Sequence, residues 1–345
     1  MMKKPILTLA AAILISGNLA AQELFTGVGA KGYYNKVLKG QDAFYIPQFQ
    51  IGFETYSETA QVVQEGKLSK LQNTFEAHSK GGQYAGGQKG SAKVTTILDA
   101  GLSLEDFQTL ANDFQSILEN EIEKSGFKVL RMSEVDGMES FGKIKEKFDN
   151  KTDKKQGKAS SDDIGTGTVK VMPDLTIFMF DEKSVMKGGG PAFYTMLKKT
   201  HAETNATMIL QNLNVDFSTV ELDVQLDAGR KGKTTTAEMK VLPKMRISSN
   251  SFDFIGPKGG PSSAPASLNG EFVSDKEYNA RIYSDKKKAE SLFSQWFSLK
   301  SKPSVDFDPR IVEITREDYM TAARDLFTQY SQSFANTLVV GAGGK

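Results

Sequence analysis

The chain has 345 residues, with 43 Lys and Arg against 42 Asp and Glu, two His and no Cys. The lack of cysteine excludes a disulfide framework, a thiolate metal site, a cysteine nucleophile and a lipid anchor carried on a cysteine at a cleavage point. The near balance of charge lacks the basic excess of a phosphate-backbone binder, so no nucleic-acid partner is expected. The length is ample for one large hydrophobic core or two modest ones.

Lys3 and Lys4 open the chain, an apolar run follows from Ile6 to Ile15, and Ser16, Gly17 and Asn18 lead to the small residues Ala20 and Ala21. This order of charge, apolar run and small residues predicts a signal peptide over residues 1–21, leaving Gln22 first after cleavage. The run is too short for a membrane-spanning helix, which needs about twenty apolar residues. The expectation is therefore an exported protein, periplasmic, outer-membrane-associated or extracellular, with no transmembrane helix after signal removal.

From Gln22 to about Lys39 the composition, rich in Gly and Tyr, predicts a loosely tied arm. Phe49, Ile51 and Phe53 recur at a spacing of two within Phe44–Tyr56, which predicts a half-buried strand, and Pro47 places that strand at an edge. Residues 57–90 are polar and glycine-rich, and Ala92, Val94, Thr96 and Leu98 resume the alternation, so an insertion or long hairpin is expected. Ser103 and Asp106 have capping-box spacing ahead of the stripe Phe107, Leu110, Ala111, Phe114, Ile117, Leu118 and Ile122, and Gly126 stops that helix before a short strand, Phe127–Leu130.

The charged stretch 136–170 is expected as a solvated loop between an N-terminal strand-helix-strand region, 22–135, and a C-terminal α+β region, 171–345. Beyond it the pattern predicts a buried strand at Leu175–Phe180, a helix at Ala192–Glu203 and a strand at Ala206–Phe217. Val220, Leu222, Val224 and Leu226 alternate with Glu221, Asp223, Gln225 and Asp227, a glycine-bearing turn follows, and Thr235, Ala237, Met239 and Val241 alternate again: a β-hairpin. Ser248–Leu268 reads as a loop or linker. Ser284 is the expected cap of a helix holding Ala289, Leu292, Phe293 and Trp296, and Ile311–Ile314 is a short strand. A final helix opens at Thr315 with Asp318 three residues on and the stripe Tyr319, Ala322, Ala323, Leu326, Phe327, Tyr330 and Phe334. The fold class expected is α+β, a layered mixed or antiparallel sheet with packed helices and long hairpins.

The motifs that could carry chemistry mostly fail on spacing. His78 and His201 have no second His or Cys at ligand spacing, and there is no G-x-S-x-G turn. Gly82–Ser91 fails as a phosphate loop because Lys89 is followed by Gly90, and Asp149–Asp163 fails as a calcium loop because Lys151 stands at a ligand position. Lys187–Pro191 reads as a turn, Lys286–Lys288 as the solvated start of a helix, and Arg230, Lys231 and Lys233 as a hairpin tip. No catalytic, cofactor-binding or metal-ligating residue is assigned, and no cofactor is expected.

The helix Phe114–Lys124, its Gly126 stop, the strand Phe127–Leu130 and the later strand Ala206–Phe217 resemble the α/β core of the curli-assembly channel (CsgG-like) family. The resemblance covers about a third of the chain. It implies an outer-membrane assembly or export accessory that works by oligomeric contact, with the excursion after residue 57 or the 220–241 hairpin as extensions. The lipidated cysteine that anchors that family is absent. Three readings follow: a non-enzymatic envelope protein that binds protein partners or itself; an envelope ligand-binding protein or hydrolase whose site is assembled from scattered acids; and a membrane-inserted oligomer whose hairpins contact the membrane.

Overall fold

The structure, a computed structural model, describes residues 37–63, 90–152, 167–174, 176, 198–227, 234–256, 266–296 and 307–343. In chain order they form β1 (Ala43–Glu54), β2 (Tyr56–Val63), β3 (Gly90–Asp99), α1 (Leu104–Lys124), β4 (Lys128–Leu130), α2 (Met132–Val135), α3 (Glu139–Thr152), β5 (Thr168–Val171), β6 (Thr207–Asp216), β7 (Thr219–Asp227) and β8 (Thr234–Leu242). The chain continues through β9 (Arg246–Ile255), β10 (Ala266–Ser267), β11 (Phe272–Val273), β12 (Arg281–Ser284), α4 (Lys286–Trp296), β13 (Arg310–Glu313) and α5 (Arg316–Ala342). The expected signal peptide, the strand at 177–180, the turn at Lys187–Pro191, His78 and the hairpin-tip cations lie outside the described residues. Of the expected helix Ala192–Glu203 only the part within residues 198–204 is described, and it is helical.

The architecture is α+β, as the sequence pattern predicts. A seven-stranded sheet runs β10–β9–β6–β1–β4, with β11 also on β9 and β5 also on β1. Phe49, Ile51 and Phe53 of β1 are buried on one face, joined by Ile209 and Val215 of β6 and by Ile247 and Phe254 of β9. Against that face lie α1 and α5, packed on each other. Phe114 of α1 stacks on Phe327 of α5 with ring centroids 3.9 Å apart, and Phe49 meets Phe114 edge-on at 5.0 Å. The helices form because their stripes match this face. Phe107, Leu110, Ala111, Phe114, Leu118 and Ile122 are fully buried, each large side chain contributing about 1.5–3 kcal/mol on burial. Ser103 and Asp106 close the capping box at the head of α1, and Thr315 caps α5. Polar side chains fix the docking: the Tyr330 hydroxyl accepts from the side-chain amides of Gln211 and Asn250 inside this core.

The opposite face is covered in part by α2 and α3, whose Val135, Phe141 and Ile144 pack on Tyr45, Met208 and Leu210. A four-stranded sheet, β12–β13–β3–β2, springs from the end of β1 at the bend of Thr55, and β7–β8 form a separate two-stranded ribbon.

Four expectations are corrected. Pro47 does not mark an edge, because β1 is central, with β6 along one side and β4 then β5 along the other. The proline is accommodated where its missing N–H costs nothing: the β6 ladder shifts register between Tyr45 and Gln48, β4 pairs only as far as Tyr45, and β5 begins at Ile51. The charged stretch expected as a loop carries α3, and strands from before and after it lie in one sheet, β6 pairing with β1 and β9 with β6. Ser248–Leu268 is not a linker at its start, because β9 continues to Ile255 and pairs along β6 from Met208 to Asp216. The cap of α4 is also one residue later than expected: Ser284 ends β12, and Asp285 accepts from Lys288 N at 3.0 Å.

Candidate functional site

The β7–β8 ribbon is built by period-two alternation meeting an in-register ladder. Thr219 pairs with Leu242 and Asp227 with Thr234, so Val220, Leu222, Val224 and Leu226 share one face with Val241, Met239, Ala237 and Thr235. The other face carries Glu221, Asp223, Gln225 and Asp227 beside Lys240, Glu238, Thr236 and Thr234. Each strand is nine residues long, and neither edge of the ribbon has a ladder partner among the described residues. The base of the apolar face is seated: Val220 is buried and Val241 packs against the main core. The β2–β3 pair is similar in kind. Its ladder puts Glu58, Lys93 and Asp99 on one face, with Glu58 and Lys93 2.5 Å apart, and leaves Ser57, Thr59, Val94 and Thr96 on the other.

The ribbon joins the sheet at a buried polar root. The β6–β9 ladder ends at the pair Asp216 and Arg246, and both side chains are buried. Arg246 donates to Asp216 Oδ2 from Nη2 at 2.7 Å and from Nε at 3.2 Å, and from Nη1 to Glu271 at 2.7 Å. Asp216 also accepts from Ser57 Oγ and from the backbone N–H of Ser218, both at 3.1 Å. On the neighbouring strand Ser248 Oγ donates to Glu54 at 3.0 Å. The Tyr278 hydroxyl donates to the carbonyl of Phe217, and the Tyr278 N–H donates to the carbonyl of Pro243 at 2.9 Å. Burial, aided by Tyr319 and Asp216 nearby, pushes the Tyr278 hydroxyl well above its ordinary pKa, so it remains the proton donor in that bond.

These root residues escape sequence reading because their partners are remote: Asp216 and Arg246 are 30 residues apart, and Phe217 and Tyr278 are 61 apart. The end of the alternation before Pro243 is the only local signal. Elsewhere, His201 is buried within its helical stretch with Nδ1 2.5 Å from the Ala206 carbonyl. Lys288 is not simply solvated. Its ammonium lies 2.5 Å from Asp99, 2.6 Å from the Tyr283 hydroxyl and 3.1 Å from Glu313, and Asp99 foremost raises its pKa. Among the described residues no group of three or more His, Cys, Asp or Glu is placed to hold a metal ion, and no helix is long and apolar enough to cross a membrane.

Against this geometry the chain was compared with family models, curated proteins and solved structures. None matches.

Proposed function

We propose that this chain is a non-enzymatic protein of the cell envelope that works by contact, with further copies of itself or with a protein partner, and that the β7–β8 ribbon is its contact element. The observation that carries the reading is the ribbon itself, nine residues per strand, apolar on one face and without a ladder partner at either edge among the described residues. An isolated two-stranded ribbon is marginally stable in water, and an unpaired edge is a template for a further strand. The resemblance of Phe114–Lys124, β4 and β6 to the curli-assembly channel family supports the same reading, because it implies work by oligomeric contact with this hairpin as a candidate extension.

A second reading, a membrane-inserted oligomer, is favoured by one specific feature. In both two-stranded pairs the charged positions fall on one face only, and the length of β7 and β8 approaches the roughly 9–11 residues a strand needs to cross a bilayer. Light scattering on residues 22–345 after chromatography, with and without detergent, tests both. A mass several times that of one chain in plain buffer is the expected result for contact between copies. A large mass that requires detergent selects the membrane-inserted oligomer, and a monomer in both conditions overturns self-association.

A further inference from the structure

Two chain segments connect the sheet to the ribbon, and neither is part of a ladder. Phe217 and Ser218 separate β6 from β7, and Pro243, Lys244 and Met245 separate β8 from β9. Pro243 has no N–H to contribute, and in place of backbone pairing Thr219 Oγ1 donates to the Lys244 carbonyl at 3.1 Å. Phe217 and Met245 are buried, so the crossing has a fixed pivot. On the body side the Asp216–Arg246 pair holds the last rung of the sheet independently of the ribbon.

One residue ties both crossings. Tyr278 binds the Phe217 carbonyl through its hydroxyl and the Pro243 carbonyl through its N–H. It sits in a strap, Ser274–Asn279, that has no helix or strand of its own. The strap is fastened at one side to Met245, whose carbonyl accepts from Ser274 N at 2.9 Å. At the other it is fastened to α5: Lys276 pairs with Asp325 at 2.7 Å, and Gln329 accepts from Asp275 N at 3.1 Å and donates to its carboxylate at 2.6 Å. Between strap and helix lies a depression of about 200 Å³, bordered by Met245, Tyr278, Asp318, Thr321 and Asp325, which leaves the strap room to shift.

We infer that β7–β8 is a lever hinged at residues 217–218 and 243–245, and that the strap Ser274–Asn279, through Tyr278, is the latch that holds it beside β2 and β3. Releasing the latch frees the ribbon to leave those strands while the sheet stays intact. The inference rests on the reading of the ribbon as a contact element, and it supplies the step by which that element changes from seated to presented.

The chain has no cysteine, so Asn120→Cys on α1 and Glu238→Cys on β8 form a unique pair for spin labels. The distance between them is measured in labelled protein diluted into excess unlabelled protein, so only distances within one chain are read, whatever the state of association. With Tyr278 present a single narrow distribution is expected. Tyr278→Phe broadens it or adds a second, longer population, and amide exchange across 219–227 and 234–242 quickens at least tenfold while exchange in β1 and β6 is unchanged. Lys276→Ala combined with Gln329→Ala, which together remove the strap's side-chain ties to α5, produces the same change to a smaller degree and serves if Tyr278→Phe does not fold. An unchanged distribution in the variants overturns the latch, as does exchange that quickens equally in β1, β6 and the ribbon. A monomeric mass by light scattering leaves this distance measurement unaffected, so the two readings fail separately.

Discussion

Asp106 shows how much one side chain can do at a helix start. Its Oδ2 accepts from Ser103 N at 2.8 Å and Ser103 Oγ at 3.0 Å, closing the capping box, while Oδ1 takes Nε of Arg316 at 2.9 Å and a second bond from the same guanidinium. One carboxylate thus caps α1 and ties it to the first residue of α5. Arg316 foremost, with Ser103, lowers its pKa to about 2, against about 3.9 for an unperturbed aspartate. The folded-state value is the lower one, so Asp106 contributes stability above the unfolded pKa and loses it as pH falls toward about 2. Asp106→Asn is expected to lower stability at neutral pH through loss of the charged bonds to Arg316 and to flatten the decline below pH about 4. Urea melts between pH 2 and 7 read both effects, and an undiminished acid slope in the variant would refute the assignment.

At the scale of elements, the ribbon makes the sharpest prediction. Val224 stands opposite Ala237 in the ladder, on the apolar face and away from the seated base. Val224→Asp puts a charge on that face and is expected to weaken self-association at least tenfold while the seven-stranded sheet stays folded. Light scattering across a dilution series paired with a thermal melt checks it; unchanged association would show that contact is made elsewhere. The same scale explains what the sequence reveals. α1, α5 and the β7–β8 ribbon are legible because each has one dry face and one wet face, so period and burial agree. β9 is not, because Ser248, Ser249, Asn250 and Ser251 read as a linker while Asn250 in fact reaches Tyr330 inside the core. Pro47 misleads because proline reports a missing donor and not which strand is central. α3 is hidden by its lysines and acids, although Phe141 and Ile144 are buried beneath them. The root of the ribbon was illegible for a different reason: its chemistry consists of contacts between residues far apart in sequence.

For the molecule as a whole, the two ends of the described chain meet. Gly40 N donates to the Ala342 carbonyl at 3.3 Å, Leu38 is fully buried, and Gly341 of α5 lies so close to the Leu38 side chain that no Cβ fits between them. Gly341→Val is therefore expected to cost about 1–3 kcal/mol by overpacking, lowering the melting temperature by about 2–4 °C for each kcal/mol; calorimetry that finds no shift would contradict the contact. The position of β1 has a consequence of another kind. Its neighbour β6 pairs Gln48 with Leu210, so the strand at the centre of the finished sheet is among the first to be synthesised and must wait for a partner more than a hundred residues downstream. Until β6 emerges, β1 has only the short β4 and β5 to pair with, along one of its two sides, and parallel pairing with β6 over such a separation is slow to form. A nascent chain halted before residue 207 would leave the β6 side of β1 unpaired, and an open strand edge of this kind invites association with other chains during synthesis.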